Sequence, residues 1–252
     1  MISIKSLTVE GVPLLEINPE GKENELLPTV IFFHGWESNK ESCLVHGYEL
    51  AKYGFRALLP DAYLHGERKE KDLSKEGLEF WNVITSSLRE LSIIKDHYVN
   101  AGISDASRFG VTGLSMGGFT TCAALTQYPW IKTAVVLMGS PDPVNFTKWL
   151  LSSKWTEGME LPFNEEFYTK SLAKLSSISL STHPERIANR FLHFWHGTID
   201  ELVPYQPTFD FYQKEKQQTY GSNLSFSTSE DVGHKVPYVK SVEMAEFFSA
   251  HL

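Results

Sequence analysis

Cysteine is scarce in this chain: Cys43 and Cys122 are the only two in 252 residues. Two thiols cannot build the disulfide framework of a small secreted scaffold. Neither stands in a CxxC or Cys/His spacing that would hold zinc, so no metal is expected and both read as inert core thiols. No apolar run approaches the roughly 18 residues of a membrane span. The first ten residues, MISIKSLTVE, lack the charged segment followed by an apolar one that marks a signal peptide. A cytoplasmic location without a membrane partner is the expectation. Positive charge is also in deficit, with 23 Lys+Arg against 31 Asp+Glu and a net charge of −8, which argues against nucleic acid as a partner. Internal repeats and low-complexity tracts are absent.

What is present suits one large α/β domain over residues 1–252. Hydrophobic residues at 42% and charged residues at 21% exclude disorder, and the length can bury a core without disulfides. The first 20 residues alternate through Ile2, Ile4, Leu7, Val9, Val12, Leu14 and Ile17 around Glu10-Gly11, which predicts an edge hairpin. Short continuous apolar runs follow at Thr29–Phe33, Phe55–Leu59, Arg108–Thr112, Thr133–Met138 and Arg190–Trp195, with a weaker one at Leu224–Ser227. Such runs fit strands buried on both faces, as in a parallel sheet. Helical patterns separate them at Leu44–Tyr53, Leu78–Tyr98, Met116–Tyr128, Tyr205–Tyr220 and Tyr238–Leu252. Strand–helix alternation predicts βαβ units and a mostly parallel sheet flanked by helices. Residues 142–189 break the alternation. They carry no strand run and hold Phe146, Trp149, Leu150, Trp155, Met159, Leu161, Phe163, Phe167 and Tyr168. A structureless loop of that length is unusual, so a helical cap inserted over one end of the sheet is expected.

The chemistry-bearing motif is Gly113-Leu114-Ser115-Met116-Gly117, with a strand pattern before it and a helix pattern after it. In that setting G-x-S-x-G is a sharp turn that lifts a serine hydroxyl above the sheet edge, at a helix N-terminus and in strained dihedrals. A serine needs a base, held in turn by a carboxylate, in the chain order Ser, Asp/Glu, His. Among nine histidines, His234 lies between the last strand pattern and the last helix, in a loop from which it could reach back over the sheet edge. His193 and His196 precede or sit beside the candidate acid and read as structural. His46, His97, His183 and His251 read as packing or solvated residues. Asp200 follows the Arg190–Trp195 strand and is the favoured acid, with Asp142, Glu201 and Asp231 as competitors. Two N–H donors must receive the tetrahedral oxyanion, each worth about 3 kcal/mol. Met116, after the nucleophile, would supply one, and Trp36, in His34-Gly35-Trp36 after the first core strand, the other. His34 itself reads as a structural histidine. Asp61, in Pro60-Asp61, reads as a loop cap.

Taken together, these residues resemble the α/β-hydrolase superfamily over nearly the whole chain, from His34-Gly35 to His234. Phe33-His34-Gly35-Trp36-Glu37-Ser38-Asn39-Lys40, Leu59-Pro60-Asp61-Ala62-Tyr63-Leu64-His65-Gly66-Glu67-Arg68 and Gly113-Leu114-Ser115-Met116-Gly117-Gly118 are similar to small prolyl-oligopeptidase-type and dienelactone-hydrolase-like serine esterases. The resemblance implies carboxylesterase activity on short acyl esters of small molecules through a Ser115–Asp200–His234 triad, without a cofactor. Dienelactone hydrolases proper carry a cysteine nucleophile where this chain has Ser115. The long N-terminal propeller of prolyl oligopeptidases has no counterpart before Thr29. A peptidase or thioesterase with the same triad, or a ligand receptor with an idle one, are the alternatives. A haloalkane dehalogenase would need a carboxylate at Ser115. The apolar side chains of the insertion read mostly as packing against the body and each other, with a minority around Trp149 or Phe163 lining an acyl pocket as a lid. Oligomeric state stays open at this point.

Overall fold

The computed structural model describes residues 1–69, 76–153 and 164–252, with backbone alone for 76–78. Strands β1 (Ile2–Val9) and β2 (Val12–Pro19) form the expected hairpin. Val9 pairs with Val12, leaving Glu10 and Gly11 as a two-residue turn at φ 48° and 85°. Positive φ at both central positions is what a tight hairpin turn needs to match strand twist. The core strands are β3 (Leu27–Phe33), β4 (Arg56–Pro60), β5 (Ser104–Leu114), β6 (Ile131–Leu137), β7 (Phe191–Gly197) and β8 (Leu224–Ser229). They form one eight-stranded sheet in the order β1-β2-β4-β3-β5-β6-β7-β8. β1 and β2 attach antiparallel, and every pair from β4 to β8 is parallel.

Both faces are covered, which is why the core strands read as unbroken apolar runs. On one face lie α1 (Leu44–Lys52) and α7 (Tyr238–His251), with Leu50, Ala51, Met244, Ala245 and Phe248 buried against Val30, Phe32, Val135 and Trp195. On the other lie α2 (Glu76–Asn100) and α3 (Met116–Gln127), together with part of α6 (Tyr205–Glu215). The stripe of α2 buries Ile84, Leu88, Leu91, Ile94 and Tyr98 as its three-and-four spacing predicts, while Trp81 is only partly buried and the side chain of Leu78 lies outside the described residues.

Element ends differ from the sequence reading in places. β5 begins at Ser104, upstream of Arg108, because Leu27 and Ser104 extend its pairing with β3. α6 stops at Glu215 instead of continuing to Tyr220; Thr219–Gly221 makes a separate 3-10 turn, and the Tyr220 hydroxyl donates back to the Glu215 carboxylate. Within 142–189 the structure has α4 (Pro143–Leu151), α5 (Glu165–Ser177) and a 3-10 turn at Pro184–Ile187. Asp142 and Asn164 accept from the N–H groups of Asn145 and Phe167 and so cap α4 and α5. Trp155, Met159, Leu161 and Phe163 lie outside the described residues.

Candidate active site

Parallel strands all end on the same edge, and the loops that follow β3, β4, β5, β7 and β8 gather there. Those loops carry Trp36, Asp61, Ser115, Asp200 and His234.

The β5–α3 turn is fixed by steric exclusion. A Cβ on Gly117 would stand 2.0 Å from the Phe33 carbonyl oxygen, and one on Gly113 would stand 2.6 Å from the Gly117 backbone. Helix α3 can therefore approach β3 only if both positions lack a side chain. Ser115, between them, is driven to φ 53°, ψ −116°, a conformation that costs on the order of 1–3 kcal/mol. Its N–H donates to the Leu137 carbonyl at 2.9 Å, and its carbonyl accepts from the Phe119 N–H at 3.1 Å.

His234 Nε2 lies 2.8 Å from Ser115 Oγ, and His234 Nδ1 lies 2.7 Å from Asp200 Oδ2. The carboxylate accepts the Nδ1 proton, which leaves Nε2 with a lone pair facing the serine hydroxyl. Asp200 Oδ1 accepts from the N–H groups of Leu202 and Val203, each at 2.9 Å. Burial alone would raise the Asp200 carboxyl, but hydrogen bonds from His196, His234 and the Val203 N–H outweigh it and hold the group well below the usual carboxylate range. The Asp200 and His234 loops meet closely: a Cβ on Gly197 would stand 2.1 Å from the Val232 carbonyl oxygen.

Of the nine histidines, only His234 reaches Ser115. His193 bonds Ser225 and Ser227 across β7 and β8, His46 stacks on Phe32, and His251 stacks on Phe191. Of the competing acids, Asp142 caps α4, while Glu201 and Asp231 are exposed. Both cysteines are buried; burial pushes the Cys43 thiol up to about 12 and raises that of Cys122 further.

The Trp36 and Met116 backbone N–H groups find no protein acceptor among the described residues. The loop bearing Trp36 is laced to the β4 loop by two histidines. His34 Nδ1–H donates to the Gly35 carbonyl, and its Nε2 accepts from the Ala62 N–H at 3.0 Å. His65 Nδ1–H donates to the Tyr63 carbonyl, and its Nε2 accepts from the Glu37 N–H at 3.2 Å. Asp61 completes the lacing. It accepts from the backbone N–H groups of Lys40 and Glu67 and pairs with Lys40 Nζ at 2.8 Å. Asp61 is thus a cap, as its sequence position suggests, but the buried cation opposite it carried no sequence signal. Burial opposes the Lys40 charge, and bonds to Asp61, Glu67 and Glu41 more than restore it, lifting the ammonium above its ordinary value.

Sequence comparison identifies the family. The prolyl oligopeptidase family matches residues 87–250, and the dienelactone hydrolase family matches residues 17–150. The chain belongs to this prolyl oligopeptidase and dienelactone hydrolase group of α/β-hydrolases. The hydrolase is 40% identical over 256 residues to YitV of Bacillus subtilis (strain 168), provisionally named an esterase, with all of both chains covered. It is 27% identical over 255 residues to the esterase YjfP of Escherichia coli (strain K12), again over the full length of both. Among solved structures, TT1662 from Thermus thermophilus superposes with a TM-score of 0.78 at 20% identity, covering 99% of this chain and 98% of that one. Among the described residues, no helix is long and apolar enough to cross a membrane, and no group of His, Cys, Asp and Glu could hold a metal ion.

Proposed function

We propose that this hydrolase is a serine carboxylesterase acting on short-chain acyl esters of small molecules. The observation that carries the reading is the continuous hydrogen-bond line Asp200–His234–Ser115, at 2.7 and 2.8 Å. Ser115 Oγ attacks the ester carbonyl while its proton passes to His234 Nε2, and Asp200 stabilises the imidazolium that results. The oxyanion is received by the N–H groups of Trp36 and Met116. His234 returns the proton to the departing alkoxide, and the alcohol leaves. Water then gives its proton to His234 and attacks the acyl-enzyme; collapse releases the acid and restores Ser115.

In this reading a run of aromatic rings beginning at Trp36 bounds the acyl group. The Trp36 ring lies 5.5 Å from Phe80, Phe80 lies 6.0 Å from Phe119, and Phe119 lies 4.6 Å from Phe146, which meets Trp149 at 5.5 Å. These rings come from the oxyanion loop, α2, α3 and α4, so the 142–189 insertion serves in this reading as a cap contributing Phe146 and Trp149. Ser115→Ala is expected to lower kcat on p-nitrophenyl acetate and butyrate by about 10⁶. Turnover by the variant at the wild-type rate would overturn the assignment. The prolyl oligopeptidase match favours a second reading, hydrolysis of aminoacyl amides by the same three residues. Relative kcat/KM on matched ester, thioester and amide substrates decides between them.

A further inference from the structure

We propose that His196 is a positioning residue for the acid of the triad, sharing Asp200 Oδ2 with His234. His196 sits at the end of β7 with no exposed surface. Its Nε2 lies 3.2 Å from Asp200 Oδ2 and 2.9 Å from the Val203 carbonyl oxygen. A carbonyl only accepts, so the ring proton is on Nε2, divided between these two oxygens. The opposite nitrogen, Nδ1, is buried without a partner. A buried polar atom left unpaired costs stability, and a hydrocarbon side chain of similar volume would avoid that cost. What the imidazole supplies in exchange is one Nε2–H shared between the Val203 carbonyl and Asp200 Oδ2.

That oxygen is the one holding the His234 Nδ1–H at 2.7 Å. Two imidazoles therefore converge on one carboxylate oxygen, while the N–H groups of Leu202 and Val203 hold the other. Val203 closes a ring, its N–H on Oδ1 and its carbonyl on His196. His196 then does two things. It fixes the rotation of the carboxylate and hence the direction in which His234 faces Ser115. It also draws charge from Oδ2, which tempers how strongly Asp200 favours the His234 imidazolium. The titratable groups facing this cluster are Asp200, His234 and Tyr205 of α6, whose ring meets His196 edge-on at 6.0 Å. Glu201, Asp231 and Lys235 of the flanking loops are exposed.

The role rests on the serine-hydrolase reading for its effect on rate, so the test includes a measurement independent of turnover. In His196→Gln the side-chain amide reaches the position of Nε2. In His196→Asn it reaches only that of Nδ1, and Oδ2 is left to His234 alone. For His196→Asn, kcat on p-nitrophenyl acetate is expected to fall about tenfold with KM unchanged, the usual scale for a hydrogen bond to a charged group. The acid limb of its kcat/KM profile is expected to move to higher pH. Its downfield His234 Nδ1 proton resonance is expected to move further downfield as that bond strengthens. His196→Gln is expected to return all three towards wild type. If the two variants behave alike, or if the His234 proton resonance and the acid limb stay at their wild-type positions in His196→Asn, the proposal fails. An inactive wild-type protein with a shifted resonance in His196→Asn would instead uphold the positioning and sink the esterase reading.

Discussion

Gly117→Ala tests the link between fold and site most directly. The new Cβ would stand 2.0 Å from the Phe33 carbonyl oxygen, 2.6 Å from the Phe33 carbonyl carbon and 2.9 Å from the His34 oxygen. A close carbon–oxygen contact needs about 3.3 Å, so α3 and β3 must separate by about 1.3 Å. Both sides of the clash are backbone, and no side chain can rotate to relieve it. Phe33 is paired with Gly113 in the β3–β5 register, so the displacement disturbs that pairing and carries the 34–36 loop with it. Overpacking costs about 1–3 kcal/mol, and backbone against backbone belongs at the upper end. In a chain of this size, about 3 kcal/mol lowers Tm by roughly 6–12 °C. A shift of about 1 Å in the Trp36 N–H should also cost about 10²-fold in kcat. Thermal unfolding followed by circular dichroism gives the first number, and p-nitrophenyl acetate hydrolysis gives the second. A Gly117→Ala protein within about 2 °C of the wild-type Tm and about threefold of its kcat would refute the steric account of the turn.

Two further outcomes follow from buried charge. Asp61→Ala leaves the buried Lys40 ammonium, among the described residues, facing only Glu67 and Glu41 and strips the acceptor from the Lys40 and Glu67 N–H groups; a loss of about 3 kcal/mol in urea unfolding is expected, and a loss under about 0.5 kcal/mol would contradict it. Burial holds His34, His46 and His193 down at about 4, against an ordinary value near 6.5 in the unfolded chain. Unfolding therefore takes up protons between those values, and stability complete above about pH 6.5 declines as pH falls towards 4, by at most about 4 kcal/mol per pH unit if all three contribute. Urea titrations at several pH values between 7.5 and 5 measure the slope, and a flat profile would show that these rings protonate as readily folded as unfolded.

The parts of the fold legible in the sequence are those whose cause is local. The elbow around Ser115 depends on a clash between positions four residues apart, so five residues encode it. The hairpin depends on Glu10 and Gly11 and on the alternation flanking them. The convergence of the Asp200 and His234 loops near Ser115 is also readable, because parallel strands deliver every following loop to one edge whatever their order in the sheet. The lacing of the Trp36 loop belongs to another category. His65 meets Glu37, Asp61 meets Lys40 and His34 meets Ala62 only because β3 and β4 are neighbours, and nothing in either segment states that adjacency. Asp61 shows where the boundary falls. Its position after Pro60 identified a residue that gathers N–H groups, which is a property of a short carboxylate at a strand end. That one of those N–H groups would belong to Lys40, and that the same side chain would neutralise a buried ammonium, required the sheet to be assembled first. His196 lies on the same side of that boundary. Beside Asp200 in sequence it is a strand-end histidine, and it comes to share an oxygen with His234 only when β8 brings that ring to the other side of the Asp200 carboxylate.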